Sequence, residues 1–336
     1  MIREFSEINL LDRNSFHVEQ RAKRLIEFDR WEDLHALFSE QRPDRWLVLS
    51  GGNNILFTQD YDGVILTPVA TGIELLSEEG DEVLLRVEAG VEWDDLVAWA
   101  VERGLWGIEN LSLIPGKVGA APVQNIGAYG AEAKDVIVRV HGYDTELCAY
   151  RTLEAAECAF GYRDSIFKHA LKGRFIITEV DVRLSRQANP HLGYGDVERE
   201  VAARGGATLK NIREAISAIR RSKLPDTAVL GNAGSFFKNP VVERSVAERL
   251  LAEYPEMPHY PTPDPERVKL AAGWLIDRAG LKGVREGAVG VHDRQALVLV
   301  NHGGATGGEV IAFAHRVIAT VRERFGIEIE PEVNIL

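Results

Sequence analysis

The segment 231–240, GNAGSFFKNP, combines a single hydroxyl group with little side-chain bulk. Ser235 follows small residues at 231, 233 and 234, which let other atoms approach the backbone closely. Two phenylalanines would keep water from one side of the serine, and Lys238 and Asn239 add polar groups. The hydroxyl group could donate a proton to a reacting carbon, or it could stabilise a turn.

Two further segments are rich in glycine. In 49–57, LSGGNNILF, a turn of Gly-Gly-Asn-Asn could direct backbone N–H groups at a phosphate, although a plain hairpin or strand-end turn is the simpler interpretation. It has neither the Walker pattern nor G-x-G-x-x-G. The segment 109–132 is a long loop that could wrap a flat, phosphate-bearing cofactor, with Gln124, Asn125 and Tyr129 bonding to its ring edges. A structural loop is the alternative.

Charged residues provide other candidates. Arg163, within GYRDSIFKH, carries a planar guanidinium suited to a carboxylate or an enolate, and a salt bridge with Asp164 or another acid is an equal alternative. Glu330 and Glu332 of EPEV lie two apart on an extended segment and so face the same side. Two solvated acids are the simpler interpretation of that pattern.

Basic residues at 220, 221 and 223 end a predicted helix, where they complement its dipole or could bind a diphosphate. Tyr194 lies in a short YGDV segment. His292 and Gln295 precede a predicted strand, where a packed or capping histidine is favoured over a ligand.

Composition excludes several classes of protein. A net charge of −12 argues against broad nucleic-acid binding. The nine histidines and two cysteines show no H-x-x-x-H or C-x-x-C spacing and no disulfide framework, so we expect no metal site. The sequence has no G-x-S-x-G elbow, so a hydrolase is not expected. Without an apolar leader or a membrane-spanning run, we expect a soluble cytoplasmic protein.

The elements that position these residues alternate without a fixed repeat, which predicts an α+β fold. Strands are predicted at 46–50, 55–57, 83–89, 135–143, 174–184, 296–300 and 327–336, the last interrupted by Pro331. Helices are predicted at 93–100, 212–219, 245–254, 270–279 and 310–321, with a proline-rich loop at 255–265.

In this order, the segments resemble the UDP-N-acetylenolpyruvoylglucosamine reductase (MurB) family of flavoenzymes. The resemblance runs from Asn14-Ser15-Phe16 to EPEV and includes NLSLIPGKVGAAPVQNIGAYG, FGYRDSIFKH, KLPD, GNAGSFFKNP, KLAAGWLID and QALVLVN. Tyr194, together with an intact GYRDSIFKH, is similar to the subgroup in which a tyrosine loop covers the substrate.

The resemblance implies a two-domain FAD-binding fold of the PCMH type, like that of vanillyl-alcohol oxidase, followed by a C-terminal α+β substrate-binding domain. The implied domains are FAD-binding subdomains at 1–68 and 69–226, a UDP-sugar domain at 227–326, and a C-terminal strand at 327–336 that returns Glu332 to the active site.

It also implies the activity, which is NADPH-dependent, FAD-mediated reduction of UDP-N-acetylglucosamine enolpyruvate to UDP-N-acetylmuramate in peptidoglycan precursor synthesis. FAD would be noncovalent, NADPH a co-substrate, and the protein a cytoplasmic monomer without nucleic-acid partners or membrane insertion. Ser235 matches the family's proton donor, and Arg163 and Glu332 match residues that stabilise an enol-like intermediate.

Further residues are matched to ligands. The implied FAD contacts are Ser50, Gly51, Gly52, Asn53, Asn54, Pro115, Gly116, Gly119, Ala120, Gln124, Asn125, Gly127 and Tyr129. The implied substrate contacts are Tyr194, Arg220, Lys223, Asn239 and Gln295. Three positions depart from the family pattern: Ser50 and Asn53 replace the usual Gly and Ser, and Asn334 replaces a common Arg.

Two other functions are compatible with parts of the pattern. A flavoprotein oxidase of the same architecture often tethers its flavin through His or Cys, which the glycine-rich loop lacks. A non-catalytic nucleotide-sugar sensor would have no need for Ser235, Arg163 and Glu332 together.

Overall fold

The computed structural model describes residues 2–336 and confirms the mixed helix and strand content. Its helices are α1 (Trp31–Glu40), α2 (Trp93–Glu102), α3 (Val197–Ala202), α4 (Leu209–Lys223), α5 (Arg244–Glu253), α6 (Ala272–Arg278) and α7 (Gly307–Phe325). Its strands are β1 (Arg3–Asn9), β2 (Arg21–Phe28), β3 (Trp46–Val48), β4 (Ile55–Leu56), β5 (Tyr61–Pro68), β6 (Ile73–Glu79), β7 (Glu82–Glu88), β8 (Gly127–Ala128), β9 (Ala131–Glu132), β10 (Ile137–Asp144), β11 (Ala149–Glu154), β12 (Phe175–Ser185), β13 (Val241–Glu243), β14 (His259–Pro261), β15 (Arg267–Leu270), β16 (Arg285–Glu286), β17 (Val289–Val291), β18 (Leu299–Asn301) and β19 (Asn334–Ile335).

The chain forms two compact units. The first comprises residues up to Ile8, Ala22–Gly51 and Asp62–Arg220. The second comprises Asn9–Arg21, Gly52–Tyr61 and Arg221–Leu336. The finer division into four segments that the resemblance implies stays a prediction.

The first unit contains two sheets. One has the strand order β1-β2-β5-β3, in which β3 pairs parallel with β5. The other has the order β11-β10-β12-β7-β6 and is antiparallel. Val83, Leu85 and Val87 alternate along β7 and are buried, as their period of two predicts. They pack with the apolar face of α2 in one core.

Helix α4 belongs to a smaller core of the first unit. Ile212, Ala215, Ile216 and Ile219 are buried at helical spacing and pack against Val197 of α3. The helix ends at Lys223, two residues before Pro225, which cannot continue it. The predicted helix is therefore confirmed, and its last turn carries both Arg220 and Lys223.

The second unit is organised around α7. This helix begins with a capping box between Thr306 and Glu309 and ends where Gly326 adopts φ +70°. Its buried side chains pack with three small sheets, ordered β13-β15-β14, β16-β17-β18 and β19-β4. Gly307 lies against the Phe57 carbonyl, where a larger residue would collide with the backbone.

Some sequence predictions were wrong in extent. The expected strand 327–336 is confined to Asn334–Ile335, because Pro331 has no N–H to contribute to a ladder. The strand expected at 296–300 lies at Leu299–Asn301, and the proline-rich loop contains β14. The side chains of β1 are mostly exposed, and its sequence shows no apolar alternation.

Candidate active site

The predicted site residues lie mainly in loops and at the ends of elements. The 50–54 turn connects β3 to β4, residues 115–125 lie between α2 and β8, Arg163 lies between β11 and β12, Tyr194 precedes α3, Ser235 and Asn239 precede β13, Gln295 lies between β17 and β18, and Glu332 precedes β19.

In the second unit, Ser235 lies on a fixed loop. The Asn232 side chain holds the turn before it, since its Oδ1 accepts a hydrogen bond from the Gly234 N–H at 2.9 Å and its Nδ2 donates to the Leu230 carbonyl at 2.7 Å. Gly234 has φ +68°, which explains a glycine there. After the half-buried serine, the rings of Phe236 and Phe237 pack edge to face and are buried. The serine therefore has a dry, rigid base.

The EPEV segment lies directly beside this loop. The Glu332 N–H donates to the Phe236 carbonyl at 2.7 Å, and the Lys238 N–H donates to the Glu330 carbonyl at 2.9 Å. Because these bonds bracket the residues after Ser235, they join the backbones that carry Ser235 and Glu332. Sequence separation hid this pairing, but the structure brings these two candidates together within one unit.

Asn239 and Gln295 also have structural roles. Asn239 Oδ1 accepts a hydrogen bond from the Ala272 N–H at 3.0 Å and so caps the start of α6. Gln295 Oε1 accepts from the Leu297 N–H at 3.3 Å within a turn. Lys223 is exposed at the end of α4.

In the first unit, Arg163 is held by backbone carbonyls. Its Nη2 donates to the Gly127 carbonyl at 2.5 Å and its Nη1 to the Asn125 carbonyl at 3.4 Å. The Asp164 carboxylate accepts a hydrogen bond from His169 at 2.8 Å. Arg163 has φ +55°, a left-handed conformation that is uncommon for a non-glycine residue. A methyl group on Gly127 would lie 2.9 Å from Arg163 Nη1, so glycine makes room for the guanidinium.

A second guanidinium, that of Arg220, interacts with the same region. Burial lowers its pKa, Tyr129 and Asp94 oppose this, and the charge of Arg163 lowers it further. Its buried Nε has no hydrogen-bond partner among the described residues. Burial also raises the pKa of the Tyr129 hydroxyl. Two guanidinium groups close together favour an anionic ligand.

The sequence did not point to the acid that supports this cluster. Asp94 of α2 accepts hydrogen bonds from both terminal nitrogens of Arg213, at 2.6 and 2.8 Å, and from the Leu113 N–H at 2.6 Å. Burial opposes its ionisation, but these bonds outweigh burial and lower its pKa. The pairing of Asp94 with Arg213 is apparent only in the fold, where α2 and α4 come together.

Two of the predicted cofactor contacts have structural explanations. Asn125 is fully buried; its Nδ2 donates to the Gly161 carbonyl at 2.9 Å and its Oδ1 accepts from the Lys134 N–H at 2.9 Å. Its side chain therefore braces the loop, and its contact with a cofactor stays a prediction. A Cβ on Gly119 would lie 2.5 Å from that of Ala89, so this glycine permits close packing.

The carboxyl ends of β3 and β5 fit a phosphate-bearing group. The two strands pair parallel, so Ser50 and Thr67 lie at the same end of the pair. Both hydroxyl oxygens are buried without a hydrogen-bond partner among the described residues. Buried polar groups normally have partners, so these hydroxyls suit a ligand that supplies them. The next residues, Gly51 to Asn54, form the turn, and Gly52 has φ +64°.

Two absences hold for residues 2–336. No group of three or more His, Cys, Asp or Glu side chains is arranged to hold a metal ion. None of the helices in this range combines the length and the apolar character needed to cross a membrane.

Comparisons with known proteins identify the family and the fold. Residues 225–336 match the family model for the C-terminal domain of UDP-N-acetylenolpyruvoylglucosamine reductase, and residues 24–145 match a model for an FAD binding domain. In a solved structure, UDP-N-acetylenolpyruvylglucosamine reductase (MurB) from Thermus caldophilus, the fold is similar with a TM-score of 0.70 and 23% identity, over 100% of this chain and 98% of that one.

Relatives in sequence are similar over nearly their whole length. The UDP-N-acetylenolpyruvoylglucosamine reductase of Chromobacterium violaceum is 50% identical, with 98% of each chain covered. Those of Bacteroides fragilis and Pseudomonas aeruginosa are 48% and 49% identical, with 98% and 96% of each chain covered. On this similarity, the chain belongs to the UDP-N-acetylenolpyruvoylglucosamine reductase (MurB) family.

Proposed function

We propose that this protein is a UDP-N-acetylmuramate dehydrogenase, which reduces UDP-N-acetylenolpyruvoylglucosamine to UDP-N-acetylmuramate in peptidoglycan precursor synthesis. Near-50% identity over the full length of named reductases supports the reaction. The structural observation that carries the proposal is the pairing of the Glu332 and Phe236 backbones, which sets Glu332 beside the Ser235 loop.

FAD is the cofactor of this family, and when bound it relays hydride from NADPH to the substrate. Ser50 and the N–H groups of the 51–54 turn would hold its diphosphate, together with the loop from Pro115 to Ala120. The Ser50 hydroxyl, which is buried and has no hydrogen-bond partner within residues 2–336, supports this placement. Gln124, Gly127 and Tyr129 are the remaining proposed contacts, with Asn125 acting through the loop that it braces.

Ser235 is the proposed proton donor. Reduction of a carbon–carbon double bond adds one hydride and one proton, and the proton goes to the carbon on which negative charge has developed. A general acid in position contributes roughly 10²–10⁴-fold to such a step. The loop held by Asn232 keeps the Ser235 hydroxyl in place.

Arg163 and Glu332 are proposed to stabilise the substrate carboxylate as charge builds on it. The fixed guanidinium of Arg163 supplies positive charge and two-pronged hydrogen bonding. Glu332 can help as a protonated donor or through water, because an ionised carboxylate would repel the charge.

Tyr194, Arg220, Lys223, Asn239 and Gln295 are the proposed contacts to the UDP moiety. Arg220 and Lys223 lie three residues apart on the last turn of α4, so the helix end offers two cations to a diphosphate. Tyr194 supports assignment to the subgroup with a tyrosine loop. The protein is also proposed to be a monomer in the cytoplasm.

Purified protein tests this function. We expect a yellow preparation whose flavin is released by denaturation, and NADPH oxidation that depends on UDP-N-acetylenolpyruvoylglucosamine. Oxygen consumption with an alcohol or sugar would indicate the oxidase instead, and a colourless protein that binds the sugar nucleotide without turnover would indicate the sensor.

A further inference from the structure

The segment 187–196 connects β12 to α3 and carries Tyr194. It has no helix or strand of its own, yet it is fastened at several points to the first unit. Leu192 packs against the core shared by α3 and α4. The ring of Tyr194, half of it exposed, meets the ring of Tyr129 edge to face at 6.0 Å between centroids. The packing of Leu192 and the contact between the two tyrosine rings are each of modest strength.

A buried amide joins this segment to the glycine-rich loop. Asn110 is 2% exposed, and its Nδ2 donates to the His191 carbonyl at 2.7 Å and to the Tyr129 carbonyl at 2.8 Å. Its Oδ1 has no hydrogen-bond partner among the described residues. Both hydrogen bonds therefore connect two segments, one that carries Tyr129 and one that carries Tyr194.

The turn that carries Asn110 is itself rigid. Glu109, also 2% exposed, accepts a hydrogen bond from the Gly107 N–H at 2.8 Å. Ser112 Oγ donates to the Glu109 carbonyl at 2.6 Å, and Trp93 Nε1 donates to the Leu111 carbonyl at 3.1 Å. Because the base is fixed by the core, Asn110 can impose its position on the more exposed segment.

We propose that Asn110 is a positioning residue: its amide docks the 187–196 segment onto the Tyr129 loop and so holds Tyr194 ready for the UDP-sugar. The inference rests on the proposed role of Tyr194 in substrate binding. A segment that is already docked loses less conformational entropy when substrate binds. Asn110 therefore acts on affinity through Tyr194 without touching the reacting atoms.

Asn110→Asp tests this most sharply, because it places an oxygen where the amide donates to two carbonyls. Asn211→Asp is the matched control, since Asn211 Nδ2 also donates to two carbonyls, those of Arg204 at 3.0 Å and Gly206 at 2.8 Å. The readouts are hydrogen–deuterium exchange of residues 187–196, KM for UDP-N-acetylenolpyruvoylglucosamine, and the rate of flavin reduction by NADPH.

We expect Asn110→Asp to accelerate exchange in 187–196 and to raise the substrate KM about fivefold to tenfold, the loss expected for one to two hydrogen bonds. Flavin reduction by NADPH should stay within about twofold, because reduction does not need the UDP-sugar contacts. Asn211→Asp should change neither the exchange of this segment nor the KM.

Wild-type exchange and KM in Asn110→Asp would overturn the inference, as would equal effects in both variants. If Asn110→Asp does not fold, Asn110→Ser, which keeps one donor, should give faster exchange in 187–196, and unchanged exchange would overturn the inference. The exchange measurement needs no turnover. It therefore separates failure of the docking role from failure of the proposed reductase activity, which would appear as wild-type protein that does not reduce the UDP-sugar.

Discussion

At the scale of single residues, the site depends on positions where small side chains leave room for charged ones. Gly127 is the clearest case, because its carbonyl accepts from Arg163 and its missing Cβ leaves space for the same guanidinium. An arginine fixed by backbone carbonyls presents its remaining donors in a defined direction. Gly127 therefore positions Arg163, in addition to its proposed contact with FAD.

Gly127→Ala should lower kcat on the order of 10²-fold, because its methyl group would lie 2.9 Å from both Arg163 Nη1 and the Ala131 carbonyl oxygen and would displace the guanidinium. Steady-state kinetics and a crystal structure of the variant check this. Gly308→Ala, at a helix position where an added Cβ would lie 3.9 Å from Thr306 Oγ1, is the control and should leave kcat unchanged. An unchanged kcat in Gly127→Ala would contradict the role given to Arg163.

Residue types alone predict only part of the arrangement of these side chains. The sequence pointed to Ser235, Arg163 and Glu332 as special, but it left open whether Arg163 pairs with Asp164. It also gave no sign that the Asn125 side chain would donate to the Gly161 carbonyl. An amide has donors and an acceptor that suit a ring edge or a distant carbonyl equally, so its role depends on contacts that no local pattern contains.

At the scale of elements, helix ends place the proposed substrate contacts. Arg220 and Lys223 lie on the last turn of α4, and Asn239 caps α6. Helices α4 and α7 were predictable because their apolar spacing and their stops at Pro225 and Gly326 are local features. Helices α1 and α3 were not among the predicted helices. The pairing of EPEV with the Ser235 loop was not predictable, since it joins segments about a hundred residues apart and the intervening Pro331 weakens the strand pattern.

Asn239→Ala should cost about 1 kcal/mol of stability through the lost cap and should also raise the KM for the UDP-sugar. Thr306→Ala, which removes the side-chain cap of α7 at the Glu309 N–H, should cost a similar amount but leave the KM unchanged. Thermal unfolding and steady-state kinetics of both variants check the prediction. Equal KM values in the two variants would show that Asn239 acts only as a cap.

At the scale of the whole molecule, acidic residues outnumber basic ones, and two buried acids of the first unit, Asp181 and Asp144, are paired with basic side chains. Asp181 is fully buried on β12; burial opposes its ionisation, but hydrogen bonds from His141 and Arg86 prevail and lower its pKa to about 2. Asp144 behaves alike: bonds from Arg174 and Arg151 outweigh burial and bring its pKa to about 2.

These two carboxylates predict how stability changes with acid. A folded-state pKa below the ordinary value of 3.8 means that the stabilisation is present above pH 4 and is lost as the pH falls towards 2. The free energy of unfolding, measured with urea between pH 5 and pH 2, should fall across this range. Asp181→Asn should flatten the fall, and Asp293→Asn, at an exposed position, should not. A flat wild-type profile would contradict this account.

The Ser235 hydroxyl is proposed to protonate the substrate and to take no part in the reaction with NADPH. Anaerobic stopped-flow absorbance of the flavin in Ser235→Ala, with the exposed Ser245→Ala as control, separates the two half-reactions. We predict that NADPH reduces the flavin of Ser235→Ala at nearly the wild-type rate, while its reoxidation by UDP-N-acetylenolpyruvoylglucosamine slows by at least about 10²-fold. Equal slowing of both half-reactions, or reoxidation at the wild-type rate, would contradict the claim.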